Sequence, residues 1–270
     1  MTEINSIVEE AAAMFTELIA LQKSYNDRLI AMPQPDFNNE EIARVLGGGE
    51  TIISRYGLQP DADLYQELQQ DIIGLIAKHR TGKEMQVEKI GVYIKAHPDL
   101  YKEILDKRTL AMPDGLSLEE KELLDFIIAQ TLRPWFQVFA AWCSQFVDQE
   151  QWLRAYCPVC GEKATISYLR GEDGKRMLVC PLCGTEWQHK YLACSWCGHE
   201  DHHDLSFFEV AEIPGYEVYL CEKCHGYLKT LNEKKRTGHR DWLLEDVNTL
   251  ILDMLALQRG YNNSGQKTYM

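Results

Sequence analysis

Apolar residues recur at three- and four-residue intervals through the first 153 positions, the spacing that lines one face of an α-helix. Ile4, Ile7, Val8, Ala11, Phe15, Leu18 and Ile19 predict a first amphipathic helix, and Met32-Pro33-Gln34-Pro35-Asp36 ends it. A short helix over 40–46 runs into Gly47-Gly48-Gly49, which reads as a connector: it follows a helix and lacks the Gly-Lys-Ser/Thr ending of a phosphate loop. Pro60-Asp61 opens another helix lined by Leu64, Leu68, Ile72, Leu75 and Ile76, and two more are expected over 84–95 and 97–107. Ser117-Leu118-Glu119-Glu120 has the form of an N-terminal cap. Pro134 is expected to kink or divide the helix that follows. Trp135, Phe139, Trp142 and Phe146 continue its aromatic face as packing, and Cys143 beside them reads as a buried, inert thiol.

At Tyr156 the period changes. Short β-rich runs appear at 165–169, 177–179, 207–210 and 217–220, separated by glycine-rich turns. Helix periodicity returns after Thr230, where Leu243, Val247, Leu250, Met254 and Leu257 predict one closing helix and Asn262-Asn263-Ser264-Gly265 a frayed tail. The expected fold class is α with a small β component: a helical domain over 1–153, metal modules over 154–191 and 192–230, and a C-terminal helix and tail over 231–270.

The turns carry the chemistry. Eight of nine cysteines fall in four Cys-x-x-Cys pairs within 68 residues: Cys157/Cys160, Cys180/Cys183, Cys194/Cys197 and Cys221/Cys224. Two thiolates three positions apart can meet one ion from a single tight turn, so eight supply two tetrahedral sites. Glycine follows the second cysteine in the first three pairs, and His225 takes that place in the fourth. His225 is expected outside the ligand set, because four sulfurs already complete a tetrahedron. The His199, His202 and His203 cluster reads as a solvated loop. Nineteen residues separate Cys160 from Cys180 and twenty-three separate Cys197 from Cys221, intervals suited to returning hairpins; ten separate Cys183 from Cys194, a connector. Pairing in chain order is therefore favoured over an interleaved cross-brace. Zinc and iron both suit four sulfurs, and spacing does not separate them. Thiol–disulfide redox centres fit less well, since these usually open a helix in a βαβ setting.

The formal charge of −13 weighs against nucleic acid, whose binding is driven by Lys and Arg neutralising phosphates. Between Cys157 and Thr230, seven Lys or Arg face eleven Asp or Glu, so the cysteine region is itself acidic. No run reaches the ~18 apolar residues of a membrane span. The first residues lack the basic start and apolar stretch of a secretory signal, so a cytoplasmic setting is expected, where such cysteine pairs hold metal more often than structural disulfides. No Ser/His/Asp spacing or nucleotide loop points to an enzyme.

The chain resembles the formate dehydrogenase accessory protein family, FdhE. The likeness rests on Tyr156-Cys157-Pro158-Val159-Cys160-Gly161 and on Arg176-Met177-Leu178-Val179-Cys180-Pro181-Leu182-Cys183-Gly184-Thr185-Glu186-Trp187. It continues through Cys194-Ser195-Trp196-Cys197, Cys221-Glu222-Lys223-Cys224-His225-Gly226-Tyr227-Leu228-Lys229, Leu252-Asp253 and Gly260-Tyr261. The resemblance implies a helical N-terminal domain, two rubredoxin-like (zinc-ribbon-like) modules whose metal ligands fall on the eight paired cysteines, and a non-enzymatic role. That role is binding formate dehydrogenase catalytic subunits and supporting their assembly into active enzyme. Trp187, Trp196 and Tyr227 are either candidate docking aromatics or packing against their own cysteine turns, and self-association is left open. The alternative is a rubredoxin-like iron electron carrier.

Overall fold

Pro134 does not break its helix. In the computed structural model, which describes residues 2–80, 82–107, 110–236, 238 and 240–262, one helix runs unbroken through Leu118–Cys143 (α8). Proline has no N–H for the carbonyl four residues back. The orphaned carbonyl of Gln130 instead accepts from Gln22 Nε2 at 2.7 Å, a side chain of the first helix, α1 (Thr2–Ser24). A buried inter-helix hydrogen bond thus satisfies the group that would otherwise favour a kink. The start of α8 follows the sequence: Ser117 and Glu120 form a reciprocal capping box.

Around α8 pack α2 (Asn26–Ile30), α3 (Asn39–Gly48), α4 (Ile52–Tyr56), α5 (Ala62–His79), α6 (Glu84–Ala96) and α7 (Leu100–Lys107). Asp61 caps α5 by accepting from Leu64 N at 2.8 Å. The expected glycine connector is more ordered than its composition suggests. Gly47 and Gly48 are helical, and Gly49 ends α3 in the left-handed region at φ 83°, where a side chain is disfavoured. The five-residue α4 gave no sequence signal, being shorter than two turns. The tail expected at Asn263–Gly265 and the side chain of Ile4 lie outside the described residues.

The remainder of the chain builds a six-stranded sheet. Its strands are β1 (Ile166–Leu169), β2 (Arg176–Val179), β3 (Glu186–His189), β4 (Leu205–Glu209), β5 (Tyr216–Cys221) and β6 (Tyr227–Asn232), in the order β3-β2-β1-β6-β5-β4. Two antiparallel meanders, β1–β3 and β4–β6, join where β1 runs parallel to β6, with Ile166 opposite Lys229 and Leu169 opposite Asn232. The same order of parts occurs twice: a cysteine turn, two strands, a second cysteine turn, a third strand. One continuous sheet therefore crosses from the first cysteine region into the second.

Alternation along the strands assigns the two faces. Ile166, Tyr168, Met177, Val179, Tyr216, Val218, Tyr227 and Leu231 point to one side, where Leu252 and Ala256 cover them. Leu178, Trp187 and Leu228 point to the other and share the core of the helical region. The covering helices are two rather than one: α9 (Trp242–Asn248) and α10 (Leu250–Gln258) meet at Thr249, whose hydroxyl bonds back to the Glu245 carbonyl at 2.7 Å. The break rotates the buried face, so Val247, Leu252 and Ala256 are covered while Leu257 and Met254 are exposed. Among the described residues, no helix is long and apolar enough to cross a membrane.

Candidate metal centres

Each cysteine turn is built by the same backbone closure. Cys157 N–H donates to Glu162 O at 2.8 Å, Cys180 to Thr185 O at 2.9 Å, Cys194 to His199 O at 2.8 Å and Cys221 to Gly226 O at 3.0 Å. The chain can reverse this tightly only if the residue after the second cysteine adopts a left-handed conformation. Gly161, Gly184 and Gly198 do so at φ 83°, 76° and 73°. His225 follows them at φ 53°, a strained choice for a side chain, and its carbonyl accepts from Asn262 N at 2.7 Å. The exposed imidazole packs near Tyr261 and is not in the thiol cluster.

The turns meet in pairs, in chain order. Cys157, Cys160, Cys180 and Cys183 gather in one group, and Cys194, Cys197, Cys221 and Cys224 in another, with the sulfurs of each group within 4.8 Å of one another. The nearest approaches are Cys157–Cys183 at 3.5 Å, Cys160–Cys180 at 3.4 Å, Cys194–Cys224 at 3.7 Å and Cys197–Cys221 at 3.8 Å. A tetrahedral ion with metal–sulfur bonds of about 2.3 Å spaces its sulfurs about 3.8 Å apart. Both groups therefore fit a four-sulfur ion. Backbone N–H groups point at sulfur as well, from Cys183 to Cys180 Sγ and from Trp196 to Cys194 Sγ, both at 3.4 Å. Such donors spread thiolate charge.

Crowding and burial together move the thiols of the first group in opposite directions. Burial pushes the Cys160 and Cys180 thiols well above the ordinary range. Burial acts the same way on Cys183, but hydrogen bonds from Cys157, Cys160, Cys180 and Thr185 prevail and hold it below that range. Like charges this close oppose one another, and a divalent ion among the sulfurs would favour their thiolate forms.

The two groups differ in setting. All four cysteines of the first are buried in the helical core. Its first turn supplies carbonyls to the start of α4, Pro158 O to Ile52 N at 3.0 Å and Val159 O to Ile53 N at 2.9 Å, while Arg133 Nε of α8 reaches Pro181 O. Those bonds satisfy the orphan N–H groups of a helix terminus, which explains why so short a helix forms there. In the second group Cys197 is exposed and Cys224 half-buried.

Of the candidate docking aromatics, Trp187 and Tyr227 are buried and Trp196 is half-buried. Trp187 is 0% exposed and donates to Arg154 O at 2.8 Å; Tyr227 is buried and bonds Asp253; Trp196, half-buried, donates to Tyr227 O at 2.9 Å. Trp196 and Tyr227 bond to each other within the second module, and Trp187 lies in the core shared with the helical region. The exposed aromatics nearby are Tyr191 and Phe207, which the sequence reading passed over for lack of a motif. His199, half-buried, bonds Asp204 at 2.7 Å, while His202 and His203 sit exposed in a 3-10 turn over His202–Asp204, where they and Asp201 bring three possible ligand atoms within 4.8 Å of one another.

Residues 156–190 match the family model for the FdhE central domain, and residues 192–270 match that for the FdhE C-terminal domain. These two segments, which carry both four-cysteine groups, belong to the FdhE family. An FdhE homologue from Aquifex aeolicus is 28% identical over 230 residues, covering 83% of this chain and 76% of that protein. FdhE homologues from Edwardsiella ictaluri and Stutzerimonas stutzeri are 32% and 36% identical, over 43% and 39% of this chain but only 38% and 35% of their own lengths. The crystal structure of the FdhE protein from Pseudomonas aeruginosa superposes with a TM-score of 0.61 at 21% identity, covering 94% of this chain and 91% of that one. The FdhE fold thus extends over the helical region that the two family models leave unmatched.

Proposed function

We propose that this protein is a non-enzymatic accessory factor that binds formate dehydrogenase catalytic subunits and supports their assembly into active enzyme. The observation that carries the reading is the match to the FdhE central and C-terminal domains across the two four-cysteine clusters. In this reading Cys157, Cys160, Cys180 and Cys183 hold one zinc or iron ion, and Cys194, Cys197, Cys221 and Cys224 hold a second. Four sulfurs leave no open coordination position for a substrate water, which supports a structural or presenting role over hydrolysis. The acidic surface supports a protein partner over nucleic acid, and a cytoplasmic setting keeps the thiols reduced. The working parts are a helical domain over 1–153, two metal modules over 154–191 and 192–230, and a C-terminal segment that clamps the shared sheet.

The test is co-purification of the tagged, metal-loaded chain with a formate dehydrogenase catalytic subunit under reducing conditions. A stable complex, and loss of dehydrogenase activity in cells lacking the protein, are expected; no complex and undiminished activity overturn the reading. Exposure of Cys197 also favours a second reading, one-electron transfer through an iron at the outer cluster. That carrier would be coloured and would bleach reversibly on reduction, whereas a zinc-only protein ends it.

A further inference from the structure

A cavity of ≈ 190 Å³ opens beside the second cysteine group, between β4, β5 and the segment Tyr191–Trp196. Arg176 lies in its wall. This arginine, at the start of β2, is 2% exposed, and among the described residues its Nε and Nη2 have no hydrogen-bond partner. Nη1 reaches the Ala193 carbonyl at 3.5 Å, the outer limit of a hydrogen bond, and the Tyr219 hydroxyl is a further side-chain partner of the guanidinium. The guanidinium lies over the rings of Tyr219 and Tyr191, 4.1 and 5.1 Å from their centroids. The Glu217 carboxylate, which acts on it electrostatically, is held by the Tyr219 hydroxyl at 2.8 Å and Asn232 Nδ2 at 3.1 Å. His189, its cross-strand neighbour, is no counter-ion: burial, and the charge of Arg176 itself, press its pKa down to about 4.

A buried, always-charged fork with two unpaired donors is costly unless something supplies acceptors. The planar partner that matches a guanidinium fork is a carboxylate. Beyond the guanidinium the cavity is apolar and aromatic, with Phe207 stacked 5.5 Å from Tyr219 and Leu205, Leu220 and Trp196 around it. A dry cavity of about 150 Å³ accepts a benzene-sized ring, so this space takes one ring or one large apolar side chain.

We propose that this cavity is a binding site for a carboxylate attached to an aromatic or bulky apolar body, with the carboxylate pairing with Arg176 and the body lying against Phe207, Tyr219 and Trp196. Nε and Nη2 are covered from solvent, and the ring that yields to admit the carboxylate is Tyr191, which is 45% exposed at the rim. A free small acid and the C-terminal residue of a peptide both present this chemistry.

The full-length, metal-loaded protein is titrated by isothermal calorimetry and by NMR with phenylacetate, with phenylacetamide, and with a short peptide ending in phenylalanine as free acid or amide. Saturable binding of at least one acid, tighter than its amide by about tenfold or more, is expected. Phenylacetate alone binding identifies a small acid as the natural source; the peptide acid alone identifies a chain terminus. Arg176→Gln is expected to erase the preference for acid over amide. Should that variant not fold, Phe207→Ala, at a side chain 55% exposed, is expected to fold and to weaken the acid severalfold. No saturable binding by either acid, equal binding of acid and amide, or unchanged binding in a folded variant overturns the proposal.

Discussion

Lys229 gives the sharpest stability prediction. It is 1% exposed, and its ammonium is shared among Asp246 Oδ1 at 2.6 Å, Asp253 Oδ2 at 2.6 Å and the Asp246 carbonyl at 2.8 Å. This clasp ties β6, the strand that joins the two meanders, to α9 and α10. Lys229→Met keeps the volume and removes the charge. It leaves Asp246 Oδ1, which has no other partner among the described residues, and Asp253 facing each other with no cation. Removing one member of a buried ion pair typically costs about 3–5 kcal/mol, and three interactions with Nζ end here, so the upper half of that range is expected at neutral pH.

The pH dependence has a defined sign. Burial raises the Asp253 pKa, and Lys229 opposes that rise. Without Lys229 the folded value climbs further above the unfolded value of about 3.9. A carboxyl whose folded pKa is raised binds its proton more tightly in the folded state, so the variant regains stability as pH falls through that folded value toward the unfolded one. Urea unfolding at pH 7.5 and 5.5 reads both effects: a deficit of about 3–5 kcal/mol at the higher pH that narrows at the lower. A loss under about 1 kcal/mol, the level of an exposed pair, or a deficit that widens on acidification, refutes the reasoning.

Three further outcomes follow from the same geometry. Trp187→Ala, which empties a fully buried ring and removes its bond to Arg154 O, is expected to cost about 3–5 kcal/mol in the same unfolding assay. Thiol alkylation of the metal-loaded protein followed by mass spectrometry should label Cys197 and Cys224 before any cysteine of the first group, since only those two of the eight reach the surface; simultaneous labelling of all eight contradicts the assigned burial. Cys143→Ala should leave the metal content unchanged. Cys143 stands outside both thiol groups, and burial, with the nearby Cys183 and Cys157, pushes its thiol up to about 12; a lost ion would show that it is a ligand.

Most of the helical region was legible because its helices are long enough for periodicity to register, and because Asp61 and Ser117 mark two starts unambiguously. What escaped depends on contacts distant in sequence. Pro134 reads as a break until Gln22, more than a hundred positions away, satisfies the Gln130 carbonyl. α4 exists because the first cysteine turn caps it. β6 was hidden because Lys229 and Thr230 interrupt its apolar pattern; both are buried, one in an ion clasp and the other bonded to Ser167 at 2.8 Å. The parallel joint between β1 and β6 has no local signature at all. The interval lengths favoured chain-order pairing over an interleaved cross-brace, and the thiols gather in that order. The Arg176 cavity was not, because a lone arginine in a strand carries no motif.

The most direct test of the account is metal content, measured by mass spectrometry on protein purified without air and without added metal. Two ions per chain are expected, falling to one in Cys157→Ser/Cys160→Ser and to one in Cys194→Ser/Cys197→Ser, with the other group intact in each case. Fewer than one ion per chain in the unaltered protein, or a single substitution pair that empties both groups in a folded protein, contradicts two independent four-sulfur sites.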